Sequence, residues 1–161
     1  MEPARHLDIL HTVSSTLSRS LDVDEVLKTA LSALTHVTGH EISSFHVLTP
    51  YGMSLQLKGD RGLSERLRRV NQTLPLGGGI IGRVAKTGET IAIEEVSRSP
   101  MLLPAAREAV AADGIRGFVC VPIRAQGRVL GTLSLGRQVP EPFAAEDVRL
   151  LEATADQIGI A

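Results

Sequence analysis

The segment LPLGGGIIGRVAKTGE, residues 74–89, combines a glycine-dense turn with a short helical pattern that stops at Gly88. Three consecutive glycines, residues 77–79, permit backbone conformations and close approaches that side chains prevent. Gly82 follows one helical turn later, where a side chain would block a neighbouring group, and Gly88 is typical of a helix C-terminus. We therefore expect a tight turn and a short helix that packs closely on another part of the chain.

The stretch GGGIIG, residues 77–82, also has the G-x-G-x-x-G spacing of a dinucleotide-binding loop. That loop follows a buried apolar strand, and the preceding NQTLP is not a continuous apolar run. A P-loop would require Gly-Lys-Ser or Gly-Lys-Thr after a four-residue spacer, which this segment lacks. Neither phosphate-binding loop is supported.

Composition indicates one globular domain, which we place at residues 1–161. Hydrophobic residues make up 43% of the chain and charged residues 22%, which is ordinary for a folded protein with a core. The 17 basic and 18 acidic residues create no overall field that would attract nucleic acid or an anionic membrane. We expect neither partner for this segment, and the local arginines 61, 66, 68 and 69 are typical of a solvated surface.

Cysteine usage and hydropathy predict a cytoplasmic location. The single cysteine, Cys120, excludes an intramolecular disulfide and favours a reducing compartment. No apolar run approaches the roughly 20 residues needed to span a bilayer, and the start MEPARHLD is too polar for a signal peptide.

Helical patterns occur at both ends of the chain. Leu10, Val13 and Leu17 predict an amphipathic helix over residues 4–20, and a second helix is expected between the capping residue Asp22 and Gly39. A third is expected over residues 144–161, where apolar residues at strict three-four spacing form the narrow seam of a coiled coil or bundle: Val148, Leu151, Ala155 and Ile158. No stop signal follows Ala161, so we expect this signalling helix to be truncated and to continue towards another domain, although a frayed terminus would look the same.

The middle of the chain alternates hairpins with short helices. We expect strands at residues 41–49, 53–59, 90–96, 117–125 and 128–136, and short helices near residues 63–70 and 104–112. Because strands grouped in hairpins favour antiparallel pairing, the predicted class is α+β with a mostly antiparallel sheet.

Four motifs in this order resemble those of a GAF domain, the small-molecule and regulatory module of bacterial sensors, photoreceptors and phosphodiesterases. They are residues 74–89, TIAIEEV with Ser97 to Pro100, IRGFVCVPI at 115–123, and GRVLGTLSLGRQ at 127–138. The final PFAAEDVRLLEATADQIGIA is similar to the closing helix of the family. The resemblance implies a GAF-like, PAS-related sheet of five or six strands, with terminal helices on one face and short helices and loops over the other.

Alternation along two strands suggests which sheet face is polar. Ser44 and His46 point away from Phe45, and Thr132 and Ser134 point away from Leu133 and Leu135. The leucine face should pack on the terminal helices. The resemblance implies that the opposite face lines a ligand cavity, formed by Ser44, His46, Cys120, Thr132 and Ser134 under a roof that includes Gly79, Ile80, Met101, Leu102 and Val110. A filled core without a ligand is the alternative.

Several cofactors are not expected. A strand histidine such as His46 could contact a ligand, sense pH or bind haem iron, but four aromatic residues are too few to wall a haem. Bilin-carrying members of the family use a loop cysteine and methionine sulfoxide reducing members use several cysteines, whereas Cys120 is single and lies in a predicted strand. The Asn-Lys-Phe-Asp-Glu pattern of cyclic-nucleotide binders is absent.

Catalytic and metal sites are not expected either. Glu94 and Glu95 are adjacent in a strand and face opposite ways, and His36 with His40 is typical of a solvated helix end. Arg83 and Arg116 could each bind an anion, although surface salt bridges are the commoner role of an isolated arginine.

Two functions follow from these patterns. The first is a sensory domain that binds a small ligand or relays a signal through its terminal helices, as a homodimer, to an output domain in the same polypeptide. We expect that output to be a histidine kinase of a two-component system. The second is a structural dimerisation module without a ligand. No nucleophile with a matched base is present, so we expect no catalysis by this segment.

Overall fold

The fold centres on a six-stranded antiparallel sheet, seen in a computed structural model that describes residues 23–38 and 42–160. The strand order is β3-β2-β1-β6-β5-β4. The strands are β1 Ile42–Leu48, β2 Ser54–Arg61, β3 Thr73–Pro75, β4 Ile91–Ile93, β5 Gly117–Ala125 and β6 Arg128–Arg137. The helices are α1 Val23–Thr38, α2 Glu65–Asn71, α3 Gly79–Thr87, α4 Pro104–Ala112 and α5 Ala145–Ile160, with a 3-10 turn at Val96–Arg98.

The predicted α+β class and both predicted hairpins are confirmed. Strand β1 pairs antiparallel with β2 and β6, and β5 pairs antiparallel with β4 and β6. The predicted helix at residues 4–20, with Leu10, Val13 and Leu17, lies outside the described residues. None of the described helices is long and apolar enough to cross a membrane.

Two elements at the sheet edges differ from the prediction. Residues 73–75 form an edge strand that pattern alone did not reveal, because three residues are too few to show alternation and Pro75 lacks an N–H for further pairing. Strand β4 covers only Ile91–Ile93 of the seven residues expected, since the chain then turns so that Val96 enters the core and its N–H bonds to the Arg116 carbonyl.

The leucine face of the sheet packs on α1 and α5, as the alternation predicted. Phe45, Leu133 and Leu135 are buried there together with residues of both helices. On α5 the contacts involve Leu150 and the seam residues Leu151, Ala155 and Ile158, with Val148 partly buried beside them. The seam expected to pair with a second chain is therefore occupied by the protein's own sheet. A dimer formed through α5 would have to use its outer face, where Arg149, Glu152 and Asp156 are exposed.

The opposite face of the sheet carries a second core, roofed by α2, α3 and α4. Leu67, Val84 and Ala109 of these three helices are buried in that core, which also contains Cys120 of β5. The predicted layering, with long helices on one face and short helices on the other, is thus present in the described chain.

The glycine turn of residues 77–82 anchors α3 to the sheet edge. The Gly78 N–H bonds to the Pro75 carbonyl at 3.1 Å and the Gly77 N–H to the Gly82 carbonyl at 2.8 Å. A Cβ on Gly82 would collide with the backbone oxygen of Pro75, so the close approach predicted at this position is real. The helix ends at Gly88, whose φ of 72° is the left-handed conformation that glycine adopts readily.

The candidate ligand cavity

A small cavity separates the sheet from its roof. It lies against β1 and β6 and beneath α2, α3 and α4, and its volume is about 60 Å³. This is the space open to the centre of a water-sized sphere, so the cavity has room for at least two waters or for a small ligand.

Most of the cavity wall is hydrocarbon. The roof contributes Ile80 and Ile81 from α3, Val110 from α4 and Leu102 from the preceding loop. Leu63, which precedes α2, and Leu67 of α2 complete the apolar wall on the other side.

Four polar residues, Ser43, Ser44, Asn71 and Ser134, also line the cavity. Ser44 and Ser134 are cross-strand neighbours on β1 and β6, so their side chains lie on the same face of the sheet. The Ser134 side chain is 1% exposed, and its hydroxyl lies beside the Cys120 thiol without a hydrogen bond of good geometry among the described residues. This hydroxyl could therefore bond to a ligand.

His46 is completely buried on the same sheet face, behind the cavity wall. Its Nε2 lies 2.9 Å from the backbone oxygen of Asn71. Since a carbonyl only accepts, Nε2 carries the proton and Nδ1 is an acceptor, which has no partner in the described chain. Burial lowers the pKa of His46 from 6.5 to about 4, against the opposing effect of the Asn71 carbonyl. The imidazole is neutral at physiological pH.

Cys120 and Thr132 complete the polar band behind the wall. Both are 0% exposed, and the Cys120 thiol lies beside the Thr132 and Ser134 hydroxyls. Burial raises the pKa of the Cys120 thiol to about 12, which leaves almost no thiolate at neutral pH. This cysteine is a buried thiol and not a nucleophile.

The structure brings together six of the ten residues predicted to form the cavity and its roof. These six line the cavity: Ser44, Gly79, Ile80, Leu102, Val110 and Ser134. His46, Cys120 and Thr132 lie on the predicted sheet face without reaching the wall, and Met101 is half-buried against the same core.

Sequence reasoning missed the contribution of α2 to the cavity. Leu63 and Leu67 are four residues apart, which is the signal for a buried helical face, and Asn71 continues the same spacing. The short segment had been assigned no role, because helix length and spacing alone do not show which sheet face a helix covers.

Charged groups stay outside the cavity. No charged side chain of the described residues lines it. Arg116, considered as an anion ligand, instead bonds to Glu95 at 2.5 Å, and Arg68 bonds to Asp60 at 3.0 Å. The Ser97 hydroxyl and then Arg116 lower the pKa of Glu95. In the described ranges, no group of three or more His, Cys, Asp or Glu side chains is arranged to hold a metal.

The roof helix α3 connects the cavity with the C-terminal helix. Its first residues line the cavity, and at its other end the Gly88 carbonyl accepts a hydrogen bond from Arg124 of β5. One further contact joins this corner to α5: the Thr90 hydroxyl donates to Glu152 at 3.0 Å. Gly159 of α5 lies so close to the Arg124 carbonyl that a Cβ would collide with it.

The sequence model of the GAF domain matches residues 20–161. The chain is 29% identical over 155 residues to the Nif-specific regulatory protein of Azospirillum lipoferum, an alignment that covers 93% of this chain and 24% of that protein. It is 27% identical over 156 residues to the nitrogen fixation protein AnfA of Azotobacter vinelandii, covering 94% and 28% respectively. The chain thus spans about a quarter of the length of these relatives.

Solved structures share the same fold. The GAF domain of a phosphoenolpyruvate-protein phosphotransferase from Coxiella burnetii superposes with a TM-score of 0.87 at 21% identity, covering 99% of this chain and 94% of that one. A domain of a putative two-component sensor histidine kinase from Sinorhizobium meliloti superposes with a TM-score of 0.72 at 22% identity, covering 88% and 90%. The family match, the order of the elements and the roofed sheet agree, and this chain belongs to the GAF domain family.

Proposed function

We propose that this GAF domain is a sensory module that binds a small molecule between sheet and roof and passes the change to the rest of a longer regulatory protein. The observation that carries the proposal is the buried hydroxyl of the wall residue Ser134, which has no hydrogen bond of good geometry in the described chain and lies beside the weakly polar Cys120 thiol. A buried polar atom without a hydrogen bond costs about 1–3 kcal/mol. In a dry structural core this loss of stability would remain, whereas a hydrogen bond from a bound ligand or an ordered water would offset it.

The cavity volume supports a mechanism in which binding moves the roof. A ligand larger than the space of about 60 Å³ would press on α3, whose first residues form one wall. Because α3 is joined to the α5 corner through Arg124 and through Thr90 with Glu152, that displacement would shift the position or stability of α5. A ligand that favours the displaced state shifts the population towards it.

The parent protein is proposed to be a regulator of the kind represented by the Nif-specific regulatory proteins. The alignments to those proteins cover over nine tenths of this chain and leave about three quarters of each relative for other functions. The histidine kinase output expected from the sequence is the competing proposal, and the likeness to the Sinorhizobium meliloti domain concerns the fold alone. A cytoplasmic location, a homodimer and the absence of catalysis by this segment belong to the same proposal.

The small cavity also favours the second candidate, a structural dimerisation module without a ligand. In that case ordered water would satisfy the buried polar band, since two waters fit the volume. The two candidates differ in one measurable property, which is whether any small molecule stabilises the folded chain.

Ligand-induced stabilisation can be measured by thermal unfolding of the 161-residue chain against a library of bacterial metabolites. A ligand of the cavity should raise the Tm of the wild type but not of Val110→Phe, whose larger side chain fills the space. The matched control is Leu130→Phe, which places the same ring on an exposed strand position and should retain the response. If no compound raises the Tm and Val110→Phe is itself more stable than the wild type, the structural module is the better description.

A further inference from the structure

We infer that the ligand of this cavity is an uncharged molecule, mostly hydrocarbon, with a single hydroxyl or carbonyl group that bonds to Ser134. This inference rests on the proposed sensory function and specifies its ligand class. It excludes organic acids, phosphates and amines as the molecules that occupy the space between sheet and roof.

The first argument is electrostatic. An ion that enters an apolar cavity loses its hydration, and that loss is repaid only by a close partner of opposite charge. Hydrocarbon dominates the wall, and its polar members are all neutral: Ser43, Ser44, Asn71 and Ser134. The nearby His46 offers no charge either, because its Nε2 proton is held by the Asn71 carbonyl and its Nδ1 is a neutral acceptor.

The second argument concerns two arginines near the cavity, Arg116 and Arg137, neither of which lines it. Arg116 bonds to Glu95 at 2.5 Å. Arg137 stacks over Phe143, with its guanidinium carbon 4.1 Å from the ring centre, and its Nη2 donates to the Glu141 carbonyl, while its buried Nε has no partner in the described chain. An anionic ligand in the cavity would have to draw one of these charged side chains into the core.

The N-terminus of α3 borders the cavity and could attract an anion, since backbone amides and the helix dipole favour negative charge there. The Leu103 side chain covers this end of the helix. Its Cγ would lie 3.1 Å from a Cβ added to Gly79, and its Cδ2 would lie 3.5 Å from a Cβ added to Gly78. The Gly78 amide is also bonded to the Pro75 carbonyl. A hydrocarbon cap makes this end of the helix a better match for an apolar group than for a carboxylate or phosphate.

One wall residue, Ser134, has a buried hydroxyl without a well-formed hydrogen bond in the described chain, with only the weakly polar Cys120 thiol recorded beside it. A hydroxyl can donate and accept, so either a ligand hydroxyl or a ligand carbonyl satisfies it.

A matched series of probes tests the ligand class: isobutanol, isobutyrate and isobutylammonium share one carbon skeleton and differ in charge. Each is titrated into the 161-residue chain at pH 7, and binding is followed by the NMR shifts of the Ile80, Ser134 and Ser44 amides. Isobutanol is expected to bind at least about tenfold more tightly than either ion. Equal or tighter binding of isobutyrate or isobutylammonium overturns the inference and leaves the sensory function standing. If none of the three binds and the metabolite library also gives no stabilisation, both proposals fail.

Two variants test the residues involved. Ser134→Ala should weaken isobutanol binding about fivefold, the effect of one lost neutral hydrogen bond, while the control Ser54→Ala outside the cavity changes nothing. Asn71→Lys adds a cation at the rim and should reverse the preference, so that isobutyrate binds more tightly than isobutanol. Unchanged isobutanol affinity in Ser134→Ala would show that the hydroxyl does not anchor the ligand, even if Asn71→Lys failed to fold.

Discussion

At the scale of single residues, the unusual feature of this domain is a set of polar side chains that the core buries without satisfying. His46, Thr132 and Ser134 each keep one polar atom without a partner in the described chain. Alternation along the strands was enough to predict that these residues share a face. Their partners were not predictable, because the bond from His46 to the Asn71 carbonyl joins residues 25 positions apart.

His46 makes stability depend on pH. Its folded-state pKa of about 4 lies below the ordinary 6.5, so the unfolded chain binds more protons between these values and stability falls as the pH drops from 6.5 towards 4. From these two pKa values, His46 alone should remove about 2 kcal/mol of unfolding free energy between pH 7 and pH 5. Urea unfolding at both pH values, compared with His46→Gln, isolates this effect from the carboxylates. An equal loss in both proteins would contradict the burial argument.

At the scale of elements, the glycine turn and α3 form the connection between cavity and C-terminal helix. The sequence predicted the turn, the helix and its end at Gly88, because each has a local glycine signal. The hydrogen bond from Arg124 to the end of α3 could not be predicted from the sequence, since only the tertiary fold brings β5 beside that end.

Gly82 should tolerate no side chain. Gly82→Ala places a methyl group against the Pro75 carbonyl, which belongs to the backbone and cannot rotate away. We expect a loss of about 3 kcal/mol or more in unfolding free energy, at the upper end for overpacking. Gly59→Ala is the control, because its Cβ would meet only Leu31 at an ordinary 3.6 Å. A difference below about 1 kcal/mol between the two variants in chemical denaturation would contradict the close packing of the turn.

Arg124→Ala should loosen the last turn of α3 and the adjoining part of α5. Loss of the hydrogen bond to the Gly88 carbonyl is worth about 1 kcal/mol at this partly exposed site, which corresponds to about fivefold faster amide exchange where opening is local. Hydrogen exchange followed by mass spectrometry, with Arg128→Ala at the neighbouring turn as control, measures the effect. Unchanged protection of α5 would argue against transmission through this corner.

At the scale of the whole molecule, one sheet separates two cores with different tasks. Beneath α1 and α5, the buried Thr154 hydroxyl donates to the Leu150 carbonyl among apolar side chains, whereas the core beneath the roof contains the cavity and lies beside the polar band. Burial of the α5 seam by the sheet couples the position of that helix to the fold of the domain.

Cys120 offers a probe of this architecture. Its pKa of about 12, compared with 9.0 for an unperturbed thiol, reduces the thiolate fraction about a thousandfold, and its complete burial limits access further. Ellman's reagent should therefore label the native chain at pH 8 at least about a thousand times more slowly than the chain in denaturant. A Tyr51→Cys variant in a Cys120→Ala background is the control, because Tyr51 is 92% exposed and a thiol there should react rapidly. Rapid labelling of native Cys120 would show that the roof opens readily.

The sequence by itself determined the α+β class, the two hairpins, the division of the sheet into an apolar and a partly polar face, and the glycine turn. These features depend on local spacing, because the period of a strand or helix determines which positions along the chain share a face. The tertiary structure alone decided that α5 buries its seam on the sheet, that α2 joins the cavity, and that Arg124 links the roof to the C-terminal helix. Each of these depends on contacts between distant residues, whose partners are set by how whole elements pack against one another and not by any pattern within one of them.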